Sequence, residues 1–129
     1  MPISFEVSDV IPASPAAIFH AWLNSGEHSL MTGSPAQASP EVGAAFKAWD
    51  GYIQGKTLEL DPPQRILQAW RTTEFAPDEP DSLLEVRLQA VPGGTRITVH
   101  HTNLPIHGEQ YRAGWFEHYF TPMKKYFAG

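Results

Sequence analysis

The chain has 129 residues, nine of them Lys or Arg against fourteen Asp or Glu, for a formal net charge of −5. That length holds one domain, spanning 1–129, with room for a real core, and the acid excess repels a phosphate backbone, which excludes nucleic acid as a partner. The absence of cysteine excludes a disulfide framework, a thiolate metal site and a cysteine nucleophile.

The opening "MPISFEVSDV" has neither the basic region nor the apolar run of a secretory signal, and no apolar segment is long enough to span a bilayer. A cytoplasmic location without membrane insertion is therefore expected. Ile3, Phe5 and Val7 alternate with Ser4, Glu6 and Ser8, the period of a half-buried strand running to about Ile11. Ser14-Pro15 then supplies an N-cap and a first-turn proline, and Ile18, Phe19, Trp22 and Leu23 recur at helical spacing until Asn24-Ser25-Gly26 stops the helix. A short second helix over Glu27–Met31 is expected next, followed by "TGSPAQASPEVG" as loop or edge strand.

Residues 44–102 read as strands, around Ala44–Trp49, Tyr52–Leu60, Arg65–Phe75, Ser82–Val91 and Thr95–Thr102. The joints are Asp50-Gly51, Asp61-Pro62-Pro63, the acidic "APDEPD" and Pro92-Gly93-Gly94; turns this short imply an antiparallel meander. One stretch here, "DGYIQGKT", brushes a nucleotide-binding signature. Gly55-Lys56-Thr57 fits, but Asp50 stands where the first glycine is required, and Pro62-Pro63 forbids the helix that should follow.

From about His107 to Phe127 the period changes. Tyr111, Trp115, Phe116, Tyr119, Phe120, Met123, Tyr126 and Phe127 fall on one half of a helical wheel, and Glu117, Thr121, Lys124 and Lys125 on the other. Pro122 cannot donate to the carbonyl of His118, so a kink or loosened turn is expected there. The order is β-α-(α)-β-meander-α, an α+β domain in which a long helix lies across a curved sheet. Such packing leaves a concave, mostly apolar space, the default place for a ligand.

"WDGYIQGKTLELDPPQRILQAWR", "GGTRITVHHTNLP" and "GWFEHYFTPMKKYF" resemble the START-like, SRPBCC superfamily. Within it, the chain is similar to the branch typified by the C-terminal domain of the ATPase activator of the ninety-kilodalton heat-shock chaperone. The resemblance runs from "IPASPAAIFHAW" to the last helix. It implies a helix-grip fold: a curved antiparallel sheet wrapped around the C-terminal helix, with one or two short helices after strand one and a hydrophobic cavity between sheet and helix. It also implies the functions found in the family, which are binding of lipids, sterols, polyketides or other apolar molecules, cyclase or hydrolase activity in a few members, and, in this branch, a chaperone partner and a link to the stress response.

Candidate cavity residues follow. Trp115, Tyr119 and Met123 share the helix face that should meet the sheet; an aromatic stripe at this spacing is packing first, but Trp and Tyr also carry polar tips that can orient a ligand. On "TRITVHH", Ile97, Val99 and His101 share one face and Thr98 and His100 the other. His101 should point inward, as a hydrogen-bonded structural residue or as a ligand-orienting or acid–base one, and its neighbour His100 outward, so the two cannot chelate one metal. On "RILQAWR" the alternation does not decide which face is inner, and the resemblance favours an aromatic, Trp70, near the cavity. Phe46, Ile53, Val86 and Met31 complete the expected wall.

No catalytic motif, metal site or cofactor fingerprint is present: there is no Gly-x-Ser-x-Gly elbow, no His-Glu-x-x-His and no dinucleotide glycine pattern. Three readings follow. The first is a binding module for an apolar small molecule, without cofactor, as monomer or homodimer. The second is a protein that binds a heat-shock chaperone, and the third a cyclase- or hydrolase-type enzyme using His101 or a buried carboxylate in the same cavity.

Overall fold

The computed structural model describes residues 2–128. Six strands form one antiparallel sheet in the order β1-β6-β5-β4-β3-β2: β1 Ile3–Ile11, β2 Ala45–Ala48, β3 Ile53–Asp61, β4 Arg65–Thr72, β5 Ser82–Val91 and β6 Gly94–Leu104. Strands β2 to β6 are the expected meander, and β1 closes the far side against β6. Gly55-Lys56-Thr57 lies inside β3, where no phosphate loop can form.

Alternation sets the inner face. On β4 the buried positions are Ile66, Gln68, Trp70 and Thr72, which resolves the choice that the sequence leaves open. Register aligns this face into rows: Ile66 opposes Val86, Val86 opposes Val99, and Val99 opposes Val7. Each such aliphatic side chain contributes about 1.5–3 kcal/mol on burial. Gly55 is required by a close approach, since a Cβ there would stand 1.9 Å from the carbonyl oxygen of Ala69 and 2.6 Å from the Phe46 ring.

Helices cover the inner face. α1 spans Pro15–Trp22, and Ser14 caps it through an N–H from Ala17 at 3.2 Å. α2 spans Ser25–Thr32, beginning earlier than the sequence implies. Asn24 is its N-cap, accepting from the Glu27 N–H at 2.9 Å, so the residue expected to stop one helix starts the next. The following loop touches the sheet edge at Gln37, which bridges Lys47 on β2.

The C-terminal stretch enters through a 3₁₀ turn, Ile106–Glu109, and continues as α3, Gln110–Trp115, a π-helical turn, Phe116–Phe120, and α4, Thr121–Ala128. The loosened turn expected from Pro122 is this π turn, in which the Thr121 N–H reaches back five residues to the Phe116 carbonyl. Proline removes the donor that the next α-type bond would use, and its ring crowds the His118 carbonyl. Tyr111, Trp115, Tyr119, Phe120 and Met123 are buried as their face requires, but Phe116 is 38% exposed. It lies at the edge of the apolar half, and it packs edge-on against Phe120 with centroids 5.2 Å apart.

Candidate functional site

A cavity of about 220 Å³ opens between the sheet and the C-terminal helix. The helix contributes Tyr111, Gly114, Trp115, His118 and Tyr119, positions i, i+3, i+4, i+7 and i+8 of one face. The sheet contributes Trp70 from β4 and Ile53 from β3, and the β2–β3 turn contributes Trp49 and Tyr52. Aromatic rings therefore form the whole wall except Ile53 and Gly114. They lock one another, edge to face where Trp70 lies 5.0 Å from Tyr111 and Trp49 5.1 Å from His118, and tilted where Trp115 lies 5.0 Å from Tyr119. Such contacts fix ring orientation and contribute about 0.5–1.5 kcal/mol each beyond burial.

Four of the polar tips in this wall, on Tyr52, Tyr111, Trp115 and Tyr119, are already paired. Trp115 donates its indole N–H to Nδ1 of His101 at 3.2 Å. Because indole nitrogen only donates, Nδ1 accepts, and the proton of His101 sits on Nε2. Nε2 then donates to Ser82 Oγ at 2.9 Å, and Ser82 donates onward to the Trp70 carbonyl at 2.7 Å. Burial, aided by the charge of His100, pulls the His101 pKa down to about 3. His101 is thus a neutral strut behind the wall.

A second buried histidine carries the opposite tautomer. His28 on α2 donates from Nδ1 to the Trp22 carbonyl at 2.8 Å, so Nε2 accepts from the Tyr119 hydroxyl at 2.8 Å. Burial lowers the pKa of His28, with the Trp22 carbonyl bond opposing, and raises that of Tyr119. At the outer end, Tyr111 and Thr72 share a hydroxyl bond at 2.6 Å, and Tyr52 donates to Glu74. Burial, with the Glu74 bond second, raises the Tyr52 pKa. Trp49 differs from these four: its Nε1–H is closed to solvent and has no partner among the described residues.

Of the residues expected from the sequence, Ile53, Trp70, Trp115 and Tyr119 line this cavity. His101 stands directly behind it, 4.5 Å from Trp70 in an edge-on pair. Phe46, Val86, Met31 and Met123 are buried in the surrounding core and do not reach the wall. The helical spacing of Trp115 and Tyr119 points equally to Tyr111, Gly114 and His118, and extending that spacing would have found them. Trp49 and Tyr52 sit in a turn, where no period operates. His28 gave no signal, because α2 has little amphipathic pattern.

The sequence matches the family model described as "Activator of Hsp90 ATPase homolog 1-like protein" over residues 12–128. No curated protein matches. Among solved structures, an HSP90 activator from Plasmodium falciparum superposes with a TM-score of 0.86 at 22% identity, covering 98% of this chain and 96% of that one. A protein from Chromobacterium violaceum superposes with a TM-score of 0.77 at 20% identity, covering 98% and 97%. The protein CalU16 from Micromonospora echinospora gives 0.72 at 21% identity, covering 98% and 73%. At these identities the likeness is one of fold, and the fold is the helix grip.

Proposed function

The chain belongs to the Activator of Hsp90 ATPase homolog 1-like family, and we propose that it binds an apolar small molecule in the cavity between sheet and C-terminal helix. The observation that supports this reading is a preformed wall of aromatic rings, with the polar tips of Tyr52, Tyr111, Trp115 and Tyr119 already paired, around about 220 Å³. Rings held in this way present apolar surface without having to be ordered on binding, which lowers the entropic cost of association. The fold supports an occupant of modest size, since sites for drug-sized ligands run from about 300 Å³ upward.

Titration with naphthalene and with laurate, followed by tryptophan fluorescence, tests the reading, because Trp49, Trp70 and Trp115 all face the cavity. Gly114→Leu is the control. A Cβ at Gly114 meets only the His118 ring, at 3.8 Å, so the larger side chain fills the cavity while the fold is kept. Saturable binding to the native chain that Gly114→Leu abolishes is the expected result. No saturable response to either probe would overturn the proposal.

The family description favours a second reading, a heat-shock chaperone partner. Adding the purified protein to the chaperone and following ATP turnover tests it, and an unchanged rate would sink it. The cyclase or hydrolase reading draws less support from the residues expected to carry it. His101 has both nitrogens engaged and a pKa near 3, far from the range where a general base works at neutral pH, and no Asp or Glu is buried among the described residues.

A further inference from the structure

We infer that the occupant of the cavity is a small flat aromatic molecule of one or two rings that carries a hydrogen-bond acceptor on its edge, received by the indole N–H of Trp49. This rests on the binding reading above and goes further by naming the chemistry of the ligand. Three observations carry it.

Size and shape come first. An apolar cavity of about 150 Å³ holds one benzene ring, so about 220 Å³ admits a second fused ring. The wall is built from ring faces and edges at tilted or perpendicular angles, 40° between Trp70 and Trp115 and 79° between Trp70 and Tyr111. A planar guest meets such a wall by offset stacking on one ring and edge contact with the next, a geometry that alkyl chains do not exploit.

Polarity comes second. Tyr52, Tyr111, Tyr119 and Trp115 are each paired elsewhere, and the Trp49 N–H is the one fully shielded side-chain donor without a partner among the described residues. A buried N–H without an acceptor is costly and rare in native proteins, and a ligand acceptor relieves the cost.

Backbone strain at the same residue comes third. Trp49 and Asp50 are both left-handed, at φ 53° and 57°, before Gly51 at 89°. The left-handed region is unfavourable for a bulky side chain, and strain of this kind collects at ligand-binding positions. The turn seats the Trp49 ring edge-on against His118, and rotation of that ring would bring the shielded N–H toward a guest.

Naphthalene and quinoline are a matched pair for the test: the same flat shape, with one ring nitrogen as acceptor in quinoline. Binding is measured by tryptophan fluorescence and by the indole N–H resonances, with the Trp49 resonance identified by its loss in Trp49→Phe. Quinoline should bind about fivefold to tenfold more tightly than naphthalene and shift the Trp49 N–H resonance downfield. Trp49→Phe keeps an aromatic ring and should abolish the preference while still binding naphthalene. Equal affinity for both probes would overturn the role of Trp49 and leave the apolar binding site standing. Binding of laurate with rejection of both aromatics would overturn the ligand class, and binding of none of the three would overturn the site itself. If Trp49→Phe fails to fold, the affinity ratio measured on the native chain decides.

Discussion

Trp115 and His101 are joined by an indole N–H donated to Nδ1 at 3.2 Å, and that single bond dictates where the proton of a fully buried histidine sits. It places the proton on Nε2, facing Ser82. Nitrogen chemical shifts should therefore report the Nε2–H tautomer for His101 and the Nδ1–H tautomer for His28. The same tautomer in both would mean that one of the two networks is wrongly drawn.

Acid sensitivity follows from the same pair. An unfolded histidine takes a proton near pH 6.5, whereas folded His101 holds out to about pH 3. Between those values the unfolded state binds more protons, so stability falls as pH falls from about 6.5 toward 3, by up to about 1.4 kcal/mol per pH unit for this residue. His28, lowered in the same direction, adds to the slope. Urea denaturation at pH 7, 6 and 5 checks this, and a flat profile over that range would contradict it.

Tyr119→Phe removes the donor to His28 Nε2 and leaves a buried acceptor unpaired. The cost should be about 1–3 kcal/mol, read as a lower urea midpoint with an unchanged m-value. The loss should shrink when His28 is replaced as well, which a double-mutant cycle would show.

Trp115→Ala cannot separate binding from folding, because the ring is only 3% exposed and holds His101. Its removal should cost about 3–5 kcal/mol. Gly114→Ala is the informative change. Its methyl meets only His118, at 3.8 Å, and replacing a helical glycine should stabilise by about 0.5–1 kcal/mol. A raised melting temperature with weakened binding of naphthalene is the expected outcome, and destabilisation would show that the space at Gly114 is not free.

Gly55→Ala should do the opposite. The new methyl would meet the Ala69 carbonyl at 1.9 Å and the Phe46 ring at 2.6 Å, both inside the β3–β4 and β2–β3 pairing. Backbone must move, and a loss of about 1–3 kcal/mol or more is expected in thermal denaturation.

Residues in periodic segments were legible before any coordinates. Ser14 caps α1, His101 faces in and His100 out, and Trp115 and Tyr119 meet the sheet, because each lies where period 2 or 3.6 assigns a side. Asn24 follows the end of α1 as its residue type implies, and its second role as the N-cap of α2 is hidden because a helix stop and a helix start use the same residue types. The inner face of β4 stayed open because both its faces carry apolar residues, and only pairing with β3 and β5 decides between them. No periodicity marks Trp49 as a site residue: Asp50-Gly51 announces the turn, but not that the ring beside it reaches the wall.

The two shielded histidines also change how the native molecule carries charge. Of six histidines in the chain, His28 and His101 are lowered by burial, while Glu79, through its bond to the Ala76 N–H first and His107 second, and Glu85, through Arg65 and Arg87 against the opposing effect of burial, hold their protons less firmly than usual. All four effects withhold positive charge from the folded state in mild acid. The folded protein should therefore focus on the acid side of the sequence value of about 5.6, and of its own band in urea, so that an isoelectric gel run with and without denaturant would display the buried network as a gap between two bands.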